Sequence, residues 1–262
     1  AAGFDKNAHV IKELAALGFS HIEAGTVTAL GQLGNPQPRS FRLPADKSLI
    51  NRMGFNNDGC DVVAKRLAAS YDMASGQRRP PCILGINIGK SKLAEPEQTI
   101  EDHLKSVEAL SPYADYMVVN VSCPNVEGVT ALQSSKNLEP LLAAVRKRLR
   151  ELAPQCRMLV KVAPDLSDAH MTDAVSIIIE NGADGIIATN TSTKRDGLNT
   201  SQQRIEMIGK GGLSGQAIRA HSTAALAKLA RLVDERLPII GVGGIDSADA
   251  AWEKIVNGAS LV

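Results

Sequence analysis

Polar side chains crowd into short stretches that each follow or close an apolar run: AGFDK at 2–6, EAGT at 23–26, GINIG at 85–89, NVSCPN at 120–125, VKVAPD at 160–165, ATNT at 188–191 and GVGG at 241–244. Asn87, Asn120 and Asn190 recur at three of these places, and an amide offers both donors and acceptors to a planar heterocycle. A single Asn is explained by turn backbone alone, but three at separate strand ends ask for more. Lys6 and Lys161 follow or lie inside apolar runs, where a buried ammonium needs an anion. A substrate carboxylate or a negatively charged reduced flavin would serve, although Lys6, at a strand exit, can also reach solvent along its stem. Cys123, in Ser122-Cys123-Pro124-Asn125, directly follows a buried run. A thiol with an ordinary pKa of roughly 8.5 becomes a usable proton acceptor where its surroundings stabilise the thiolate. Cys60, Cys82 and Cys156 read as small hydrophobes.

Two glycine-rich stretches, GKGGLSG (209–215) and GVGG (241–244), lie near the last apolar runs, and the second precedes IDSADAAWEKI, a helix with a cap at Asp246 or Ser247. Exposed N–H groups there form a phosphate cradle; simple turn chemistry is the alternative. One connection, residues 29–80, is about twice the length that a helical crossover with its loops requires. It contains GNPQPRSFRLP and INRMGFNNDG, and Asn51, Arg52, Asn56 and Asn57 with Phe55 make a polar and aromatic mixture suited to ligand contact rather than to a decorative loop.

The elements that must position these groups alternate. HIEAGTVT (21–28), PCILGINIG (81–89), ADYMVVNVS (114–122), RMLVKVA (157–163), ADGIIATNT (183–191), LPIIGVGG (237–244) and ASLV (259–262) read as buried strands. Amphipathic stretches at 137–152, 167–182 and 216–235 lie between, one with Ser167 or Asp168 as its cap and Gly182 as its stop. Repeated β then α implies a parallel α/β sheet. Ala1–Asp5 supplies the tail of an eighth strand, the count that closes a (β/α)₈ barrel. The expectation is a single domain over 1–262, a barrel truncated at both ends, with residues 29–80 inserted on the face where barrel active sites lie.

Composition narrows the function. With 29 basic against 28 acidic residues and a net charge of +1, the chain lacks the field that holds nucleic acid or anionic lipid. Four cysteines without CxxC spacing predict a reduced compartment. No apolar run approaches the roughly 20 residues of a membrane helix, and the start lacks a signal peptide's features.

In order along the whole chain, AAGFDKN, EAGTVT, GNPQPRSFRLP, INRMGFNN, NVSCPN, VKVAPDLS, ATNT, GGLSG and GVGGI resemble the dihydroorotate dehydrogenase family, and RSFRLP with INRMGFNN and GGLSG resembles its class 2, quinone-using branch. The resemblance implies a (β/α)₈ barrel holding FMN, without metal, that oxidises dihydroorotate to orotate in pyrimidine synthesis and passes electrons to quinone. By motif, Ala2, Gly3, Gly25, Thr26, Asn87, Asn120, Lys161, Thr189, Ser214, Gly215, Gly243 and Gly244 would contact FMN. Lys6, Asn51, Arg52, Met53, Gly54, Phe55, Asn120, Asn125, Asn190 and Thr191 would surround the substrate. Cys123 would remove the C5 proton while C6 delivers hydride to the flavin, and Lys161 would stabilise the reduced flavin. Class 2 enzymes usually carry Ser at the base position, so Cys123 departs toward the class 1 pattern. The family's last strand also continues into a Tyr-Thr pair that helps hold the FMN phosphate, beyond Val262.

The resemblance further implies a soluble fragment of a protein peripheral to the cytoplasmic face of a bacterial cell membrane, or to the mitochondrial inner membrane in a eukaryote, through amino-terminal helices that this chain lacks. Competing readings are another FMN barrel acting on dihydropyrimidines, similar to the flavin domain of dihydropyrimidine dehydrogenase, a flavin-free phosphate-binding lyase or isomerase, and a non-catalytic binding barrel. RSFRLP and INRMGFNN speak against the first of these, and yellow colour on purification separates the second.

Overall fold

A computed structural model describes residues 3–70, 82–122 and 135–262. Along the chain run α1 (Ile11–Ala16), β1 (His21–Val27), β2 (Ser40–Leu43), β3 (Ser48–Asn51), α2 (Cys60–Ser70), β4 (Ile83–Ile88), α3 (Thr99–Leu110), β5 (Tyr116–Asn120), α4 (Ser135–Leu152), β6 (Arg157–Val162), α5 (Asp168–Glu180), β7 (Gly185–Ala188), α6 (Gln202–Ile208), β8 (Gly212–Gly215), α7 (Arg219–Val233), β9 (Ile239–Gly241) and α8 (Ala248–Val256). The order β1-β4-β5-β6-β7-β9 follows the sequence, as helical crossovers between parallel strands require.

Two compact units divide the chain: residues 1–34, 55–120 and 140–159 form one, and residues 35–54, 121–139 and 160–262 the other. In the first, β1, β4 and β5 pair in parallel, with His21 opposite Ile83 and Gly85 opposite Tyr116. Every residue of β5 is buried, which is why its run of Met117, Val118 and Val119 shows no alternation. Residues 3–5 are not a strand, yet the Asp5 carbonyl accepts from the Gly25 N–H at 2.8 Å, alongside β1.

In the second unit β7 and β9 pair in parallel, Ile186 opposite Ile239. The expected last strand is a single bridge, Leu261 with Ile240, supported by Gly241 N–H to the Leu261 carbonyl at 2.7 Å. Ser167 caps α5 by accepting from His170 N–H, and Ser247, not Asp246, caps α8 by accepting from Ala250 N–H at 3.1 Å.

The long connection is where structure departs from expectation. Ser40–Leu43 and Ser48–Asn51 form an antiparallel hairpin, and β8 pairs antiparallel with its second strand. GGLSG is therefore largely a strand rather than an open glycine loop. Its glycines allow close approach: at Gly215, φ is +98° and a Cβ would lie 2.7 Å from the Lys47 carbonyl. Leu43, Ile50 and Leu213 bury one face of this small sheet against Ile205, Ile208 and Ile218.

Candidate functional site

In the first unit, three uncharged side chains from successive strand ends bond one another. Thr26 Oγ1 donates to Asn87 Oδ1 at 2.6 Å, and Asn120 Nδ2 lies 3.1 Å from Thr26 Oγ1 and 3.2 Å from Asn87 Oδ1. Asn87 Nδ2 donates to Glu23 Oε1 at 3.0 Å, a partner that sequence reasoning missed although Glu23 sits two residues before Gly25 and points to the same face. Asn87 and Asn120 are almost wholly buried. Gly25 is forced by packing, since a Cβ there would sit 2.5 Å from the Asn87 carbonyl oxygen. Phe55 packs onto this cluster: a Cβ at Gly89 would meet its ring at 2.8 Å and Thr26 Cγ2 at 2.9 Å. Lys6 lies near Gly3, whose φ is +77° and whose added Cβ would come 3.1 Å from Lys6 Nζ.

Asn57, expected as a ligand contact, is instead consumed by backbone. Its Oδ1 accepts from Thr28 N–H at 3.1 Å and Gly59 N–H at 2.9 Å, while Nδ2 donates to Thr28 Oγ1 and the Phe55 carbonyl. Asn56 Oδ1, by contrast, is buried without a hydrogen-bond partner among the described residues.

In the second unit Asn51 and Thr191 meet around β8. Asn51 Nδ2 donates to the Gly212 carbonyl at 3.4 Å, and a Cβ at Gly212 would overlap Thr191 Oγ1. Gly54, with φ +72°, follows Met53 and lies against Asn35. Arg52, expected beside the substrate, has NH1 donating to the Ile208 and Lys210 carbonyls at 2.6 and 3.0 Å and its guanidinium stacked 4.5 Å over Phe41. It neutralises the negative end of α6 and braces β3.

At the end of β7, Thr189 N–H donates to the Val242 carbonyl and Asn190 N–H to the Val162 carbonyl. Asn190 Nδ2 donates to Ser122 Oγ at 2.9 Å, while its Oδ1 receives Thr191 N–H at 2.8 Å. Lys161 is buried within β6, 4% exposed. Asp165, to which the sequence attached no role, anchors the following loop: Ser192 Oγ, His221 Nε2, Thr193 N–H and Thr193 Oγ1 all bond its carboxylate at 2.7–2.9 Å. Burial pushes its pKa up, but those hydrogen bonds outweigh burial and hold it below the usual carboxylate value. Its position in VAPD, at a strand exit, was the available signal. Gly243 and Gly244 have φ of +112° and +71°; an added Cβ would come 2.9 Å from Ser222 Oγ at the first and 2.6 Å from Arg219 Cβ at the second.

Ala2, Cys123 and Asn125 lie outside the described residues. Of the remaining cysteines, Cys60 and Cys156 are buried and Cys82 half-buried. Burial, reinforced by Asp61, pushes the Cys60 thiol up to about 11, as expected of an inert core thiol. Among the described residues no helix is long and apolar enough to cross a membrane.

The family model described as dihydroorotate dehydrogenase matches residues 1–262. Dihydroorotate dehydrogenase (quinone) of Thermobifida fusca is 46% identical over 263 residues, covering 100% of this chain and 69% of the relative. That of Streptomyces coelicolor is 47% identical over 264 residues, covering 100% and 70%. Among solved structures, DHODH from Eimeria tenella in complex with ferulenol superposes with a TM-score of 0.91 at 36% identity, covering 100% of this chain and 73% of that one. The expected (β/α)₈ class is thereby the fold of this chain.

Proposed function

The chain belongs to the dihydroorotate dehydrogenase family, and from that premise we propose that it oxidises dihydroorotate to orotate in pyrimidine biosynthesis, with FMN as cofactor and a quinone as electron acceptor. The buried cluster of Thr26, Asn87 and Asn120 carries this reading: neutral donors and acceptors at three strand ends are what a flat, uncharged heterocycle needs.

The residues present fit a flavin mononucleotide. In the first unit Gly3, Gly25, Thr26, Asn87 and Asn120 would contact its ring; in the second, the family's motifs assign flavin contacts to Lys161 and Thr189. Ser214, Gly215, Gly243 and Gly244 would take the ribityl phosphate, where positive φ at three of them turns backbone sharply. FMN, when bound, supplies a two-electron acceptor. Lys161, buried within β6, would stabilise the reduced flavin. Asn51, Asn190 and Thr191, ordered by Gly212 and Ser122, would hold the amide edges of the substrate, with Lys6 as a counter-charge to its carboxylate. Cys123 would take the C5 proton on its sulfur. A quinone acceptor would be met at a membrane surface, through peripheral contact.

Anaerobic mixing of the FMN-loaded chain with dihydroorotate tests the reading. Loss of oxidised-flavin absorbance is expected; bound FMN that stays oxidised, or bleaches only with dihydrouracil, would overturn it. If Cys123 is the base, the bleaching rate levels off at lower pH than in Cys123→Ser, because a thiol ionises near neutrality and a hydroxyl does not. Matching pH profiles would remove Cys123 from that role.

A further inference from the structure

Helix α8 carries a lysine on its buried face. Lys254 and Ala250, one turn apart, are both 0% exposed, and the lysine stem packs under β9, where an added Cβ at Gly241 would come within 3.1 Å of Lys254 Cβ. The ammonium donates to Ser222 Oγ at 2.6 Å, Thr223 Oγ1 at 2.7 Å and the Arg219 carbonyl at 3.3 Å. None of these partners is a carboxylate. Glu253, its neighbour in sequence, is bound to the Arg219 guanidinium at 2.5 Å. Two cations thus share one carboxylate, and they do so at the first turn of α7, where the helix dipole is itself positive. A buried charge left in surplus is costly unless a further anion belongs beside it.

The surplus borders the glycine turn. All three ammonium hydrogens have acceptors, so Ser222 is free to donate its own proton onward, and Gly243 O and Arg219 O both lie 3.0 Å from its Oγ. The missing Cβ atoms of Gly243 and Gly244 are what let this turn lie against Ser222 and Arg219.

We propose that Lys254 is a positioning residue for the phosphate of FMN: through Ser222 it fixes the Gly243–Gly244 turn, and its uncompensated positive charge behind that turn selects a ligand ending in a phosphate dianion over a neutral one. This rests on the reading above that the turn receives that phosphate. Burial first, with Glu253 partly opposing it and Arg219 adding to it, lowers the Lys254 ammonium to about 8. Those two are the charged groups that face it from α7 and α8, and β9 with residues 242–244 contributes none.

The test is binding, read by flavin fluorescence on the full chain, with FMN and its phosphate-free counterpart riboflavin as probes. In the wild type FMN should bind more tightly than riboflavin, and the ratio should fall as pH rises through about 8. Lys254→Met should weaken FMN by about tenfold and leave riboflavin within about twofold, with no step near that pH. Ser222→Ala, which keeps the charge and loses the relay, should weaken FMN by about threefold. A merely structural lysine would move both probes together. Should the wild type bind the two probes equally, the phosphate reading of the turn falls, and this inference with it. Should the wild type prefer FMN and Lys254→Met keep the same ratio, the inference alone is overturned. If Lys254→Met does not fold, the wild-type pH series decides by itself: a flat ratio from pH 7 to 9.5 overturns the role, and a falling one upholds it.

Discussion

The two units hold their polar strand ends in opposite ways. In the first, Thr26, Asn87 and Asn120 satisfy one another through neutral side chains, with Glu23 behind them. In the second, Asn51 ends β3 while Asn190 and Thr191 follow β7, and the neighbouring loops are gripped by charged residues from distant segments: Asp46 accepts from Asn199 and Thr200, Asp165 holds Ser192 and Thr193, and Arg52 holds Ile208 and Lys210. The difference follows from the scaffold. Parallel strand ends in register bring short side chains within reach of each other, whereas loops expose N–H and carbonyl groups that need long or charged partners. Neutral clusters give a surface indifferent to pH, and charged braces give one that is not.

The largest expected effect lies with the second unit's buried charge. Lys161→Ala should slow anaerobic flavin bleaching by dihydroorotate at least about 100-fold, and an effect below threefold would show that its charge does not act on the reaction. Next is Asp165→Ala, which strips four hydrogen bonds from a carboxylate and should cost about 3 kcal/mol in urea unfolding at pH 7. Because the folded Asp165 pKa is depressed, its contribution is complete above the ordinary value of 3.8 and disappears as pH falls through the folded one. Wild type and variant should therefore converge in strong acid. The smallest effect is in the first unit, where Asn87→Ala should cost about 1–2 kcal/mol, constant between roughly pH 5.5 and 9, since its bonds to Thr26 and Asn120 are neutral and the window lies above the ordinary range of a carboxyl such as that of the cluster's fourth member, Glu23. A pronounced pH dependence in this variant, or none in Asp165→Ala, would erase the contrast between the units.

The barrel strands were legible because strands buried on both faces read as apolar runs, as at Val118–Val119 and Ile186–Ile187. The hairpin of β2 and β3 was not. Each strand has four residues, three of them exposed or partly so in β2 and two in β3, and their apolar positions gain a partner only when Leu213 arrives from far along the chain. Strand ends rich in Asn were also legible, but residue type does not say which Asn is consumed internally. Asn87 and Asn57 are the same amide; one closes a cluster across three strands and the other caps its own turn. Arg52 reads as a substrate ligand in the sequence, and its NH1 braces the end of α6, since an arginine beside asparagines carries no mark of which carbonyls lie within its reach. Lys254 carried no mark in the sequence and Asp165 only its place at a strand exit, for a related reason: each acts through partners remote in sequence, Ser222 and His221 on α7 among them.

The pairing of β3 with β8 has a consequence for the order in which the molecule comes together. Asn51 and Gly212 are 161 residues apart, so the hairpin leaves the ribosome long before the strand that completes its sheet. Closing so long a loop is entropically costly and slow. Until β8 is synthesised, Leu43 and Ile50 lack the partners that bury them, and the hairpin is a short, solvent-exposed edge. The shelf carrying Asn51 is thus among the last parts to assemble, and a nascent chain stalled before Gly212 would present an open strand to its neighbours rather than a nearly finished enzyme.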